Sequence, residues 1–329
     1  MDSEMVAIAS LTLHQLCLRY EAVTAVDRLS LHVEGGEILG LLGANGSGKS
    51  STLNAIAGIL DPASGEIRIN SISRTEQPND YAKLVGLVPQ EFSLYEELSA
   101  WDNLQFFGRL YGLSGRNLTR RVEEVLEQVR LQDRSRCRLE TLSGGMKRRV
   151  NLACAMIHDP VVLLLDEPTV ALDPPSKECL FETLDNLRDE GRVIVLTTHD
   201  LPEAEQLCDR VAMLREGKLI ASGRLSEFQV AEKSTLIGLL RESIAEQVEH
   251  AVRNRLSSDV EFRVIGRRIR LRAPDGEKLG MALASLYAEG VLLDSFRTPT
   301  AQLESFFCEE ETPTHDAALV SGGSAWFDN

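Results

Sequence analysis

The sequence predicts an α/β protein with a mostly parallel β-sheet covered by helices on both faces, followed by a smaller α+β domain. Up to about residue 225, short apolar runs alternate with segments of helical periodicity. The runs GEILGLLG, VVLLLDEP and RVIVLTTHD are continuously apolar, as expected of strands that are buried on both faces. Polar residues stand at the end of these runs, and ligands of such sheets bind at the carboxyl ends of the strands. The sequence therefore predicts a binding site at that edge.

Charge and composition narrow the class of protein. The chain has 329 residues, enough for one large domain or two modest ones, and a formal net charge of −15. That charge argues against nucleic acid as the main partner, because neutralising phosphates requires clustered Lys and Arg. Asp2 and Glu4 replace the basic start of a signal peptide, and no run approaches the ~20 apolar residues of a membrane span. We expect a cytoplasmic protein that acts at a membrane only through a partner.

The six cysteines are expected to be reduced and mostly buried thiols. No pair has C-x-x-C spacing, and no Cys/His cluster suits a metal ion. They stand at positions 17, 137, 154, 179, 208 and 308.

A glycine-rich loop between the first buried strand and a helix carries the first chemical signal. The segment GANGSGKSS fits G-x-x-x-x-G-K-[ST], and the helix after it is predicted to run through about Ala57. Its glycines let backbone N–H groups turn towards phosphates, and the helix N-terminus adds its dipole. Lys49 is predicted to reach the β- and γ-phosphates of a nucleotide, and Ser50 to join the Mg²⁺ shell, whereas the alternative is a turn without a ligand. The predicted nucleotide contacts are Gly43, Asn45, Gly46, Gly48, Lys49, Ser50 and Ser51.

A helical insertion is predicted at about residues 92–157. The stretches LSAWDNLQFFGRLYGL and LTRRVEEVLEQVRL place apolar residues at i, i+3, i+4 and i+7. Near the end of the insertion, ETLSGGM opens another helix, whose first turn can present the Ser143 hydroxyl and the N–H groups of Gly144 and Gly145 to an anion. If the insertion holds this turn away from the nucleotide of its own chain, the turn could bind the nucleotide of a second chain in a head-to-tail pair. A helix cap made of small residues is the alternative.

Acidic side chains follow the next buried strand. Asp166 ends the strand where a carboxylate can bind Mg²⁺, and Glu167 could orient and deprotonate an attacking water. Two adjacent acids can also be solvated loop residues, although the nearby phosphate loop favours the functional interpretation. His199 ends the following apolar run and could contact the γ-phosphate, or could cap a helix instead.

Beyond Gly223 the pattern changes, and residues 226–308 are assigned to a small α+β domain. A helix is predicted through LIGLLRESIAEQVEHAVRNRL, and VEFRVIGRRIRLRA predicts a hairpin that turns at Gly266 and Arg267. GEKLGMALASLYAEG suits a helix and VLLDSF a strand. Residues 309–329 are acidic and then Gly/Ser-rich, which predicts a mostly disordered tail.

Six motifs, taken together, resemble the nucleotide-binding subunit of an ABC transporter. In chain order they are GANGSGKSS, Gln90 within VPQEFSLYEELS, LSGGM, VVLLLDEP, ALD at 171–173 and THD, over roughly residues 10–224. The resemblance implies an ABC-type P-loop ATPase domain over residues 1–225, with a mostly parallel sheet core, an antiparallel β subdomain and the helical insertion. ATP and Mg²⁺ are the implied cofactors, and a second ATPase subunit, identical or homologous, is an implied partner.

The resemblance also implies a role for individual residues. For Tyr20 the implied role is contact with the adenine ring, and plain packing at a strand end is the alternative. Tyr20 would stack on adenine, Gln90 would contact Mg²⁺ and water, and Ser50 and Asp166 would bind Mg²⁺. Glu167 would be the general base and His199 the γ-phosphate switch. Ser143, Gly144 and Gly145 would close the partner's ATP, and Asp173 would lie at the dimer seam.

Two positions depart from the family pattern. Met146 stands where Gln is commonest, and Val170 where Ser is frequent before the ALD turn. Neither removes the Ser143 hydroxyl or the glycine backbone, so ATP closure is expected to survive.

Three segments look most like ATPase subunits of ABC-2 type exporters, whose permease is a separate membrane polypeptide. They are LYEELSAWDNLQFFGRLYGL, LSGGMKRRVNLACAMIHDP and LLLDEPTVALDP. The resemblance implies a peripheral position on the cytoplasmic face of the membrane. The groove expected to dock a permease helix is formed by Phe92, Leu94, Tyr95, Phe106, Phe107 and Tyr111. As the alternative, the aromatic residues at 106, 107 and 111 are core of the helical insertion.

Two other functions compete with the exporter. A soluble ABC ATPase without a permease would work on ribosomes, DNA or iron–sulfur assembly, but the chain has a single cassette and lacks the heptads of a long coiled coil. A P-loop kinase or GTPase would leave LSGGM unexplained. The small C-terminal domain is assigned to dimerisation or regulation.

Overall fold

The computed structural model describes residues 9–21, 23–224, 234–241, 256–257, 259–265 and 268–297. The chain divides into two compact units, Met1–Phe228 and Gln229–Asn329. The predicted tail at 309–329, the turn residues Gly266 and Arg267, and Cys308 lie outside the described residues.

The first unit contains two β-sheets. A four-stranded antiparallel sheet has the order β2-β1-β4-β5, and a six-stranded sheet has the order β10-β9-β3-β8-β7-β6. In the six-stranded sheet β3, β6, β7, β8 and β9 run parallel, and β10 pairs antiparallel with β9. The strands are β1 (Ser10–Tyr20), β2 (Val23–Glu34), β3 (Glu37–Leu42), β4 (Ser64–Ile69), β5 (Ile72–Ser73), β6 (Val85–Val88), β7 (Val162–Asp166), β8 (Val193–Thr198), β9 (Arg210–Arg215) and β10 (Lys218–Arg224).

Burial explains why the central strands are apolar throughout. Side chains of β3, β7 and β8 are buried on both faces, and one hydrophobic cluster joins the two sheets to the helix after β3. Leu13 of β1, Leu41 of β3 and Leu53 of that helix belong to this cluster. The carboxyl ends of β3, β7 and β8 lie side by side, since these strands are parallel neighbours in register.

Seven α-helices are described in the first unit. They are α1 (Lys49–Ile56), α2 (Pro78–Ala82), α3 (Ala100–Leu110), α4 (Gly115–Gln128), α5 (Gly144–Met156), α6 (Pro174–Asp189) and α7 (Leu201–Leu207). Helices α3, α4 and α5 pack against one another and form the helical insertion. Helix α4 buries Leu118, Val122 and Val125 on one face, at the helical spacing that the sequence predicts. The predicted fold class, a parallel core with an antiparallel subdomain and helices, is confirmed.

The second unit has its own sheet and its own core. Strands β11 (Ser234–Leu240), β12 (Glu261–Ile265), β13 (Arg268–Ala273) and β14 (Leu293–Arg297) form an antiparallel sheet of order β12-β13-β11-β14. Helix α8 (Gly276–Ala288) packs on it and buries Leu279, Ala282 and Leu286 against Leu236 and Leu271. The predicted hairpin strands, helix and final strand are all present.

One predicted element of this unit is wrong. The sequence favoured a helix beginning at Leu236, but residues 234–240 form β11, hydrogen-bonded to β13 on one side and β14 on the other. A short apolar run is ambiguous between helix and strand, and here the two neighbouring strands decide. The remainder of the predicted helix, residues 242–255, lies outside the described residues.

Among the described helices, none combines the length and the apolarity that crossing a membrane requires. The five described cysteines are free thiols. Cys154, Cys179 and Cys208 are buried, whereas Cys17 and Cys137 are partly exposed.

Candidate functional site

The phosphate loop, residues 43–51, joins β3 to α1 at the carboxyl edge of the six-stranded sheet. Gly48 caps α1 with a φ of 104°, a conformation that favours glycine. A Cβ at Gly48 would lie 2.5 Å from the carbonyl oxygen of Ala25, so the position has no space for a larger residue. The loop is therefore held tightly against β2, and its backbone faces the edge of the sheet.

The side chain of Lys49 folds back onto the phosphate loop. Its Nζ donates to the carbonyl oxygens of Gly43 at 2.7 Å and Ala44 at 3.0 Å, and the residue is only 5% exposed. Burial lowers the pKa of Lys49, while the charges of Glu167 and Asp166 raise it. The two acids predicted to flank the phosphates thus act on the same ammonium group.

Asp166 connects the phosphate loop to two strands. Its Oδ1 accepts from the hydroxyl of Ser50 at 3.1 Å and from that of Thr197 at 2.5 Å. Thr197 is fully buried in β8, and its Oγ1 also accepts from the backbone N–H of Glu167 at 2.9 Å. Thr197 was not predicted, because its role arises only from its place on the strand beside the one that ends in Asp166.

Glu167 and His199 form a carboxylate–imidazole pair at the ends of β7 and β8. Nδ1 of His199 lies 3.1 Å from Oε1 of Glu167. The Glu167 side chain is 13% exposed and that of His199 is 55% exposed, so the pair opens to solvent on the imidazole side. The backbone of Glu167 has a φ of 46°, in the left-handed region that non-glycine residues rarely adopt. A strained backbone thus aims the carboxylate at this edge.

A second carboxylate, Glu203, lies beneath this pair and was not predicted. It is 6% exposed and accepts from the hydroxyls of Thr169 at 2.5 Å and Thr198 at 3.3 Å. Burial raises the pKa of Glu203, while both threonine hydrogen bonds lower it. Because Thr169 follows Glu167 and Thr198 precedes His199, Glu203 holds the two loops together.

The Ser143–Gly145 turn, named here the signature turn, opens helix α5. Ser143 caps the helix by accepting from the N–H of Met146 at 3.3 Å. A Cβ at Gly145 would lie 2.1 Å from Oγ of Ser176 and 3.1 Å from Oδ1 of Asp173, so the turn packs directly against the start of α6. In the described part of the chain, no hydrogen bond or ion pair joins the signature turn to the phosphate loop.

Two predicted contacts lie further from the acids. Tyr20, at the end of β1, is exposed, and its hydroxyl is 3.4 Å from Oγ of Ser51. Gln90 follows β6 and is exposed. The structure thus brings Lys49, Ser50, Asp166, Glu167 and His199 to one edge, with Tyr20 beside the loop.

Comparisons with known proteins agree with this arrangement. Residues 26–170 match the ABC transporter family. The linearmycin resistance ATP-binding protein LnrL of Bacillus subtilis is 36% identical over 88% of this chain and 94% of its own length. The chain belongs to the ABC transporter family. The Nod factor export ATP-binding protein I of Paraburkholderia xenovorans is 42% identical over 65% of this chain and 70% of its own length.

Solved structures of ABC cassettes share the fold. An ATP-binding subunit of an ABC transporter is 33% identical, covers 67% of this chain and 91% of its own, and has a TM-score of 0.61. The dimeric cassette MJ0796, bound to ADP and Pi after hydrolysis, is 28% identical over 65% of this chain and 98% of its own, with a TM-score of 0.59. The chain is therefore an ATP-binding subunit of the ABC transporter family, and its enzymatic activity is ATP hydrolysis.

Proposed function

We propose that this ABC subunit hydrolyses ATP to drive export through a separate membrane permease of the ABC-2 type. The main support is that Ser50 contacts Asp166 and Glu167 contacts His199 at one polar edge of the sheet, as ATP hydrolysis requires. The names of the relatives point the same way, since one refers to linearmycin resistance and the other to Nod factor export. The chain would bind at the cytoplasmic face of the membrane through that permease.

For hydrolysis, Glu167 is the proposed general base. It would accept a proton from water as the water oxygen bonds to the γ-phosphorus of ATP, and the bond from that phosphorus to the bridging oxygen would break to give ADP and phosphate. His199 would hold the γ-phosphate and orient the Glu167 carboxylate, which it already contacts. Lys49 would exchange its contacts with loop carbonyls for phosphate oxygens, and Tyr20 would stack on the adenine.

The residues present fit Mg²⁺. Oγ of Ser50 and Oδ1 of Asp166 are 3.1 Å apart, close to the roughly 2.9 Å between adjacent ligands of an octahedral ion at 2.0–2.1 Å. The described residues contain no cluster of three or more His, Cys, Asp or Glu suited to a metal, as expected where phosphates and water complete the shell. Ser50 and Asp166, with Gln90, would hold the ion, which when bound neutralises charge on the β- and γ-phosphates.

Two chains are proposed to pair head to tail. The phosphate loop of one chain and the signature turn of the other would then enclose each ATP, with Ser143, Gly144 and Gly145 as contacts and Asp173 at the seam. Support comes from the missing link between loop and turn among the described residues, and from the dimeric relative MJ0796. The N–H groups at the start of α5 would bind the γ-phosphate of the other chain's ATP.

An aromatic patch on the helical insertion is the proposed permease contact. Tyr95 and Phe106 meet edge to face with ring centroids 4.9 Å apart, and both are exposed, as are Phe92 and Tyr111. Of the aromatic residues for which core packing was the alternative, Phe106 and Tyr111 are on the surface, while only Phe107 is partly buried. An exposed pair of aromatic rings in contact, such as Tyr95 and Phe106, is typical of a protein interface.

The test is co-purification from membranes. The full chain carrying Glu167→Gln, incubated with ATP in mild detergent, should retain a polytopic membrane protein in near-stoichiometric amount, measured by mass spectrometry. Replacing Tyr95 and Phe106 with Ser should remove most of it. Replacing Met281 and Tyr287 with Ser provides the control, because these side chains are exposed on α8 in the second unit. Recovery of ribosomal or other soluble partners without a membrane protein would favour the soluble ABC ATPase.

A further inference from the structure

An open cavity of about 650 Å³ lies between helices α3 and α4 of the helical insertion, and none of its lining residues belongs to the proposed ATP site. Three arginines line it, Arg109 from α3 and Arg116 and Arg120 from α4. Glu123 is the only acid among its described lining residues. We call it the arginine cavity. Ligand pockets usually have roughly 300–1,000 Å³, so its size suits a small molecule or a lipid headgroup.

The exposed guanidinium groups around the arginine cavity make few contacts with the protein. Nη2 of Arg109 donates to Oε1 of Gln105 at 2.9 Å, and Nε of Arg120 lies 3.5 Å from Oε1 of Glu124. Arg116 has no hydrogen-bond or ion-pair partner among the described residues. Because each guanidinium carries five N–H donors, most of the donors around the cavity are free to bind an anion.

This cavity gathers like charges in a chain that is acidic overall. Arg116 and Arg120 are four residues apart on α4, a spacing at which like charges destabilise a helix. Arg109 adds a third positive charge from α3, and Glu123 offsets only one of the three. The whole chain has a formal net charge of −15, so a general excess of basic residues does not explain this local one. A bound anion would account for it.

We propose that the arginine cavity binds a phosphate group, carried either by an anionic lipid headgroup or by a free phosphorylated small molecule. The three guanidinium groups would hold the phosphate oxygens through charge-assisted N–H···O hydrogen bonds. The hydroxyl of Ser114, which lines the cavity and does not cap α4, would donate a further hydrogen bond. This site is separate from the proposed ATP site and goes beyond the proposed function.

An exposed apolar side chain beside the cavity favours the lipid as the source of the phosphate. Leu110, the last residue of α3, is 66% exposed and directly follows Arg109. Cationic side chains at the level of the headgroups, with an apolar neighbour at the acyl boundary, are typical of segments that lie on a membrane surface. The cavity would then give the chain a direct contact with lipid, in addition to its proposed contact with the permease.

The first arm of the test is flotation of the full chain with lipid vesicles. Vesicles of equal parts phosphatidylglycerol and phosphatidylcholine should bind the chain, and vesicles of phosphatidylcholine alone should not. Arg116→Gln combined with Arg120→Gln should weaken this binding roughly 25-fold, since each cation near an anionic surface contributes about 5-fold. Leu110→Ser should weaken vesicle binding as well, because it removes the apolar contact with the acyl boundary.

The second arm replaces the vesicles with glycerol phosphate and measures binding by equilibrium dialysis. Here the full chain carries Lys49→Ala, so that the phosphate loop does not bind the probe. If the phosphate belongs to a free small molecule, glycerol phosphate should bind, the same arginine pair should weaken that binding, and Leu110→Ser should leave it unchanged. Either source supports the site, because both depend on the same guanidinium groups.

Arg134→Gln combined with Arg138→Gln is the matched control, because these exposed arginines belong to the same helical insertion but do not line the cavity. This pair removes the same charge and should bind either probe like the parent chain. Glu123→Gln removes the acid of the lining and should strengthen binding roughly 5-fold, a gain that misfolding cannot produce. Equal losses in the two arginine pairs, or binding of neither probe, would overturn the proposal. No arm measures ATP hydrolysis, so failure of the proposed function would leave these results unchanged.

Discussion

At the scale of single residues, the site depends on one hydroxyl that touches neither ATP nor water in the proposed mechanism. Thr197 accepts from the N–H of Glu167 and donates to Asp166, and so fixes the two acids relative to each other. Its hydroxyl also satisfies the backbone N–H of a residue whose φ is strained. The proposed base and the proposed Mg²⁺ ligand thus share one support from the neighbouring strand.

Glu167→Gln should bind ATP but lose about 10²-fold or more in turnover, the usual scale for a general base. Glutamine has nearly the same shape, so the contact with His199 and the backbone hydrogen bond to Thr197 should remain. Phosphate release and equilibrium ATP binding, measured on the same preparation, separate the two effects. Turnover near wild type would remove Glu167 from the role of base.

Thr197→Val should weaken both stability and turnover. Valine keeps the shape but leaves the buried N–H of Glu167 without an acceptor, at a cost of about 1–3 kcal/mol in the free energy of unfolding. Because Glu167 and Asp166 would lose their common support, kcat should fall roughly 10- to 100-fold. Urea denaturation and steady-state hydrolysis measure the two quantities.

Thr197→Ser is the control for that variant. Serine retains the hydroxyl and removes one methyl group from a fully buried position, which costs about 1 kcal/mol. Its kcat should stay within a few-fold of wild type. If serine and valine reduced kcat equally, the effect would come from packing and the hydroxyl would have no positioning role.

At the scale of elements, the junction after helix α5 joins the helical insertion to the central sheet. The His158 ring stacks on Tyr111 with centroids 3.7 Å apart and planes 5° from parallel. Nε2 of His158 lies 3.0 Å from the carbonyl oxygen of Val85, so Nε2 must carry the proton, and Nδ1 is buried with no hydrogen-bond partner among the described residues. The pKa of His158 is lowered to about 4, chiefly by burial and also by the charges of Arg121 and Arg192, while the Val85 hydrogen bond and the charge of Asp159 oppose this shift.

This junction should make the fold acid-sensitive. Because the pKa of His158 in the folded chain lies below its ordinary value of 6.5, the stability it contributes is complete above 6.5 and is lost as pH falls towards 4. The loss should reach up to roughly 3 kcal/mol in the free energy of unfolding. His158→Gln, which can still donate to Val85 but does not titrate, should lose less stability over this range. Tyr111→Phe keeps the stacked ring and should retain the wild-type slope; equal slopes for His158→Gln and wild type would exclude His158 as the source.

Local features of the sequence predict some of these elements and not others. The phosphate loop, Asp166 and Glu167 were predictable, because glycine geometry and acids at strand ends are local signals. Thr197 was not, since its role arises only from the register between two strands distant in the sequence. The helix predicted at Leu236 is wrong for a related reason. Its apolar run is short and suits either a helix or a strand, and pairing with β13 and β14 makes it a strand.

At the scale of the whole molecule, the chain carries the two proposed parts of a nucleotide site, and no hydrogen bond or ion pair among the described residues joins them. The phosphate loop and the acids meet at one edge, while the signature turn packs against α6 beside Asp173. Gly144 is exposed, and a Cβ placed there meets no atom within 4 Å. A substitution at Gly144 can therefore alter a surface contact without disturbing the fold of its own chain.

The proposed head-to-tail pair predicts rescue between two inactive variants. Lys49→Ala should lose ATP binding, and Gly144→Asp should place a carboxylate against the partner's phosphates, so each variant alone should hydrolyse little ATP. A mixed pair contains one site with both defects and one with neither. Equal amounts of the two chains should therefore recover roughly a quarter of wild-type turnover, since half of the pairs are mixed and each has one intact site.

The control is Gly280→Asp, which changes an exposed helical glycine of the second unit that likewise has no atom within 4 Å of a Cβ. It should hydrolyse ATP like wild type on its own, which separates the effect of a new carboxylate from its place in the signature turn. Phosphate release is measured across mixing ratios, and rescue should peak at equal amounts because mixed pairs are then most abundant. If each signature turn served the ATP of its own chain, every site in the mixture would carry one defect, and mixing would give no rescue at any ratio.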